Sequence, residues 1–192
     1  FPYTSRFRSL PDGVNRQIVR LNSDGKADNT FTPVAGNFND IAAIGGGDFV
    51  GVSFNYADHK GRVVKFNSSG TIDDTIDVTA TGQMNTIDVA TDGSWYVTIE
   101  PAGDLMKING TEVKRIFKMN PDGTVDESFG IDLALSYTFK AGTYGNDFIT
   151  AGSYFQTSVG NFPLQRWSAD GEPSLAYNDL YNNLTLVGND FI

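Results

Sequence analysis

The residues best able to do chemistry in this chain stand at fixed offsets around glycines. Arg20, Asp24, Gly25 and Asp28 form one set, and Lys118, Asp122, Gly123 and Asp126 form another with the same spacing. Lys65, Ser69, Gly70 and Asp73 repeat the pattern with one polar exchange, and Arg166, Asp170, Gly171 and Ser174 repeat it with another. Two carboxylates flanking a glycine turn offer clustered oxygens, which is what a hard cation such as calcium takes. Asp24, Asp28, Asp122 and Asp126 are therefore the metal candidates. A calcium loop also needs a leading Asp, ligands at alternate positions and a distal bidentate Glu, and the sets lack them. The preferred reading of Gly25, Gly70, Gly123 and Gly171 is a structural turn, because glycine takes positive φ without a Cβ clash and Asp or Asn bonds the backbone two residues on. The basic residue of each set is expected to pair across the hairpin with Asp28, Asp73 or Asp126, a contact worth about 0.2–1 kcal/mol. Lys118 in particular should lie within salt-bridge distance of Asp126. Anion binding by this basic row is the alternative.

Other chemistry finds little support. The single histidine, His59, sits in the polar stretch YADHKG with no recognisable nucleophile or orienting partner. There is no cysteine, hence no disulfide, thiolate zinc site or thiol nucleophile. TDGSWY (Thr91–Tyr96) and SADGEP (Ser168–Pro173) approach the Asp-box of sialidase-like propellers but have the wrong spacing. Paired carboxylates for glycoside hydrolysis remain an alternative, since the chain has 23 acids, but no pair is singled out. No catalytic residue, cofactor site or cofactor is assigned. Three sequons, at Asn67, Asn109 and Asn183, are read as chance matches. The net charge of −9, without a basic cluster, argues against nucleic acid and against docking on an anionic bilayer. No apolar run reaches the ~20 residues of a membrane-spanning helix.

The elements that position these residues follow from periodicity. Motifs at residues 18–31, 63–76, 116–129 and 164–177 each place an alternating strand before the glycine turn and a second strand after it. Successive turn glycines are 45, 53 and 48 residues apart. A second hairpin precedes or follows each motif, marked by Phe49, Trp95, Phe148 and Phe191 after a Gly/Asp/Asn turn. Two hairpins per period make four strands, and a period of about 40–50 residues is that of a propeller blade. The expectation is an all-β chain with about four four-stranded blades, a single propeller domain over 1–192 or a fragment of a larger propeller. The longest spacing leaves an insertion, Glu100 to Arg115, where a partner or ligand contact is sought first. Tyr3, Phe7, Tyr56, Tyr96, Tyr154 and Trp167 are the aromatics considered for stacking on a ligand, with Tyr96, Tyr154 and Trp167 taken as candidate partner contacts; for any one of them, core packing between blades is the preferred role.

With these residues in view, the chain resembles the delta-60 repeat family of bacterial β-propeller proteins. The resemblance rests on Ile116, Phe117, Lys118, Met119, Asn120, Asp122, Gly123, Val125, Asp126 and Phe129, and on the equivalent run from Ile18 to Phe31. The second copy departs at Ser69 and Ile76, and the fourth at Ser168, Ser174 and Tyr177. The resemblance implies a secreted or surface protein. It further implies, by likeness to proteins of the Bacteroidota, an accessory lipoprotein of an outer-membrane nutrient-uptake (SusCD-like) complex. The expected function is thus non-enzymatic binding or scaffolding outside the cytoplasm, with other outer-membrane or surface proteins as partners and a glycan or peptide as a possible ligand. A propeller hydrolase or lyase using paired acids, and a free-standing carbohydrate- or peptide-binding module, are the alternatives.

Overall fold

The computed structural model of the chain describes residues 17–101, 106–131, 138–145, 147–157, 160–177, 186–187 and 190–191; the side chains of some strand residues, including 74–77 and 151–157, lie outside that description. Strands are the only regular elements among the described residues. β1 (Gln17–Ile18) and β2 (Val34–Ala35) form a two-stranded pair. β3 (Phe38–Gly45), β4 (Asp48–Asn55), β5 (Lys60–Phe66) and β6 (Ile72–Ala80) form an antiparallel meander, blade A. β7 (Gly82–Val89) and β8 (Trp95–Pro101) begin blade B; a short hairpin of β9 (Lys107–Ile108) and β10 (Thr111–Glu112) intervenes, and β11 (Ile116–Met119) and β12 (Val125–Ile131) complete the blade. Blade C is β13 (Thr138–Tyr144), β14 (Asp147–Thr157), β15 (Gly160–Trp167) and β16 (Pro173–Tyr177). β17 (Leu186–Val187) and β18 (Asp190–Phe191) form a last pair.

In each whole blade the aromatic hairpin supplies the first two strands and the glycine-turn motif the last two. The expected four periods therefore distribute as three complete blades, a motif half-blade (β1–β2) and an aromatic half-blade (β17–β18). The inner strands β3, β7 and β13 lie beside one another in sequence order. Because the strands run up and down, the glycine turn and the aromatic turn share one end of each blade. The connection between the second and third strands lies at the other.

The motif turn closes the same way in every copy. Gly25, Gly70 and Gly123 each donate N–H to the carbonyl of the Asn three residues earlier at 2.9 Å, and Gly171 does so to Ser168 at 2.9 Å. Their φ values are 78°, 85°, 84° and 82°. This is a three-residue loop, a type I turn closed by a left-handed residue. The positive φ falls on glycine and not on the preceding residue, so Ser69 can replace Asp without strain.

Three apolar clusters fill the seams. Ile18, Phe31, Phe38, Phe49 and Phe66 join the first half-blade to blade A. Val52, Val63, Val78, Met84, Val97, Ile108 and Met119 belong to the cluster of blades A and B. Tyr96, Ile116, Phe129, Phe148 and Trp167 belong to that of blades B and C. Fully burying one such Phe side chain stabilises the fold by about 1.5–3 kcal/mol.

Candidate functional site

The motif builds three contacts in sequence. Asp126 stands opposite Lys118 in the β11–β12 register, and the salt bridge expected between them forms at 3.9 Å. Arg20 meets Asp28 at 2.8 Å and Lys65 meets Asp73 at 2.8 Å. The second carboxylate oxygen of the motif Asp then accepts from the residue two places on. In Asp126 it takes the Ser128 N–H at 3.0 Å and hydroxyl at 2.6 Å; in Asp28 it takes the Thr30 N–H at 2.8 Å and hydroxyl at 2.6 Å. This local turn throws the strand out of register. Pairing jumps from Lys118↔Asp126 to Phe117↔Gly130, and from Lys65↔Asp73 to Val64↔Asp77.

The bulge delivers its last residue to the next blade. Phe31 packs on Phe49 with ring centroids 5.9 Å apart, and Phe129 lies against Tyr96, itself stacked on Phe148 of blade C at 4.8 Å. The receiving surface is the next blade's glycine turn. A Cβ on Gly70 would stand 2.4 Å from the Thr32 carbonyl and 2.9 Å from the Phe31 ring, and one on Gly171 would stand 3.4 Å from Phe129. The motif is therefore an interlock: turn, ion pair, bulge and aromatic wedge in one sentence of sequence.

The candidate metal ligands are occupied in this interlock. Asp24 accepts the Lys26 N–H at 3.1 Å and pairs with its ammonium at 3.0 Å, and Asp122 accepts the Thr124 hydroxyl at 2.7 Å and N–H at 3.0 Å. Bonding to the Lys26 side chain holds the Asp24 carboxyl below its ordinary pKa, and the Thr124 and Thr30 hydroxyls do the same for Asp122 and Asp28. Among the described residues no group of three or more His, Cys, Asp or Glu could hold a metal ion.

The fourth copy shows what the motif Asp does. Ser174 replaces it, and the three-residue jump is missing: Arg166↔Leu175, Gln165↔Ala176 and Leu164↔Tyr177 follow in simple register, and the pairing shifts by only one residue, between Trp167↔Pro173 and Arg166↔Leu175. Arg166 turns instead to Asp147 at the aromatic turn, with Nε to carboxylate 2.7 Å. Lys118 shares both arrangements, reaching Asp92 at 3.5 Å as well as Asp126. Asp92 is held below its ordinary range chiefly by the Ser94 hydroxyl.

Two of the three candidate contact aromatics are core residues. Tyr96 is 1% exposed and Trp167 3%, so neither can meet a partner. Tyr96 carries Lys118 over its ring at 5.8 Å, and Trp167 donates its indole N–H to Thr150 at 2.9 Å. Both belong to the apolar cluster between blades B and C, which is the core-packing role preferred for them from the sequence. Burial, followed by the charges of Asp92, Asp147, Asp126 and Asp170, pushes the Tyr96 hydroxyl up to about 12. The side chain of Tyr154, in β14, lies outside the described residues, as do Tyr3 and Phe7. Of the candidate aromatics whose side chains are described, Tyr56 is the open one, 67% exposed. It tops the β4–β5 turn, standing edge-on to Phe54 at 5.0 Å. Asn55 accepts the Ala57 N–H at 2.9 Å, and Asp58 accepts the Lys60 N–H at 3.1 Å and pairs with Arg62 at 3.0 Å. His59, in the left-handed region at φ 54°, lies beside Phe54 with ring centroids 6.4 Å apart.

The insertion lies at the same end of the molecule. Its hairpin β9–β10 extends the sheet of blade A, giving the order β10-β9-β6-β5-β4-β3. Its apolar residues Ile108 and Val113 point into the A–B cluster, while Asn109, Gly110, Glu112 and Lys114 are exposed. The Tyr56 turn and this hairpin thus lie at one end of the strands of blade A.

Two carboxylates on the inner strands were not singled out by the sequence reading. Asp40 of β3 accepts the Ile87 N–H of β7 at 3.1 Å, and Asp88 of β7 accepts the Thr143 N–H of β13 at 2.6 Å and its hydroxyl at 3.0 Å. Each thus clamps its blade to the next. Their signal was an isolated acid in an otherwise apolar strand, as in TIDVA.

A family model described as "Domain of unknown function (DUF5122) beta-propeller" matches residues 11–31 and 102–129. These segments contain the first and third motif copies. No curated protein and no solved structure matches the chain. The strand order, the interlocking motif and this match make the domain a β-propeller.

Proposed function

We propose that this propeller is a non-enzymatic binding or scaffold domain that works outside the cytoplasm. The observation that carries the reading is the employment of its acids and bases. Arg20, Lys65, Lys118 and Arg166 are paired, the motif carboxylates close turns, and the inner-strand Asp40 and Asp88 clamp blades. The surface available to a partner is the end of blade A that carries Tyr56 and β9–β10, where loops on a repeated scaffold diverge.

The finer reading rests on the resemblance to delta-60 repeats. It makes the protein an accessory surface lipoprotein of an outer-membrane nutrient-uptake complex of the Bacteroidota. The test is gentle purification from native membranes followed by mass spectrometry of everything retained. Stoichiometric outer-membrane transporter or lipoprotein subunits support the assignment. Recovery of the protein without them overturns it.

A further inference from the structure

We infer that the β9–β10 hairpin is a latch on the junction of blades A and B, and that this seam opens and closes with it. The two blades are joined by one residue: β6 ends at Ala80, β7 starts at Gly82, and only Thr81 lies between. The hairpin, which belongs to blade B by sequence, grips that residue by its backbone N–H and by its side-chain hydroxyl. Thr81 N–H donates to the Lys107 carbonyl at 3.0 Å, and the Lys107 N–H donates to the Thr81 hydroxyl at 2.9 Å. A second reciprocal pair holds Thr79: the Asn109 N–H donates to the Thr79 carbonyl at 3.0 Å, and the Thr79 N–H donates to the Asn109 side-chain oxygen at 3.0 Å. Ile108, between the two grips, pairs with Ala80 and is 1% exposed.

The hairpin is shaped for this position. Asn109 and Gly110, at φ 48° and 92°, form a two-residue type I′ turn. That turn aims the Asn109 side chain at the β6 backbone. Four hydrogen bonds and one buried side chain thus converge on three residues of chain. Blades B and C are joined differently, with residues 132–137 between β12 and β13.

The test is hydrogen exchange followed by two-dimensional NMR on the whole chain, comparing the parent with Thr81→Val and with Asn109→Gly. Thr81→Val removes the acceptor for the Lys107 N–H while keeping a β-branched shape. Asn109→Gly removes the acceptor for the Thr79 N–H and suits the left-handed turn. Each variant should lower protection of Thr79, Thr81 and Asn109 at least tenfold. The Ile87 amide, bonded to Asp40 across the A–B seam, should lose protection by a similar factor, and the Thr143 amide, bonded to Asp88 across the B–C seam, should keep its parental value. Loss confined to the hairpin, with Ile87 unchanged, would make the hairpin an ornament and overturn the latch. Equal loss at Ile87 and Thr143 would also overturn it, because it reports global stability. If one variant fails to fold, the other decides; failure of both to fold would mean that the hairpin holds the whole domain and not one seam, which overturns the proposal too.

Discussion

A glycine in this protein is costly to replace for one of two separate reasons, and the turns distinguish them. Gly25 and Gly70 share nearly the same φ, 78° and 85°, yet a Cβ on Gly25 would meet nothing within 4 Å while one on Gly70 would strike the Thr32 carbonyl at 2.4 Å. Gly25→Ala should cost only the left-handed penalty, about 1–2 kcal/mol. Gly70→Ala adds a backbone clash and displacement of the Phe31 wedge, and should cost at least about 2 kcal/mol more. Urea unfolding of the two variants measures the difference directly. Tyr96 supplies a pH effect with a definite sign. Its folded pKa, about 12, lies above its ordinary value of 10.0. The neutral hydroxyl is therefore favoured by folding, and that contribution is complete below pH 10 and is lost as pH rises towards 12. Ultraviolet titration should show one tyrosine ionising near 12 or only on unfolding, and Tyr96→Phe should remove it while raising the midpoint of alkaline unfolding.

At the scale of elements, the hairpins and their turns were legible because each is a local pattern: alternation, a glycine, an aromatic. The Lys118–Asp126 pair was legible for the same reason, since nine residues of sequence enclose both partners and the turn between them. The three-residue bulge was not. It shows only as the interval between Asp126 and Phe129, and its purpose, delivering a ring to another blade, is non-local. For Tyr96 and Trp167 the preferred role, core packing between blades, is the one the fold uses, and the partner-contact alternative falls; sequence alone left both open because the covering blade is non-local. Asp40 and Asp88 escaped because their partners lie 47 and 55 residues away. Their role makes a further prediction. Asp88→Ala leaves the Thr143 N–H and hydroxyl without that acceptor, at a cost of about 1–3 kcal/mol. Asp88→Asn, which keeps an acceptor oxygen, should recover part of the loss. Thermal unfolding of both variants checks the order.

Across the whole molecule, the blades behave as repeats in which each buries its apolar faces only against its neighbours. The seams are nevertheless built differently. The half-blade seam is aromatic, with Phe31, Phe49 and Phe66; the B–C seam uses Tyr96, Phe129 and Phe148; the A–B seam is largely aliphatic and carries the inserted hairpin. The family model matches two motif-bearing segments, the second of which, 102–129, also takes in the inserted strands; by period, those strands stand where the spacing between motif copies is longest. The fold was therefore readable from what recurs, and the insertion from what does not.

At one point of the A–B seam no side chains intervene. A Cβ on Gly61 would stand 2.5 Å from the Gly82 carbonyl, and one on Gly82 would stand 2.5 Å from the Glu100 carbonyl, so three main chains lie directly on one another. Hydrostatic pressure unfolds proteins by eliminating internal voids, and stacked backbone leaves little volume to eliminate. Under compression the aromatic seams, where large rings meet at angles, should yield first, and the Gly61–Gly82–Glu100 contact should persist longest. High-pressure NMR following the amides on either side of each seam would register that order.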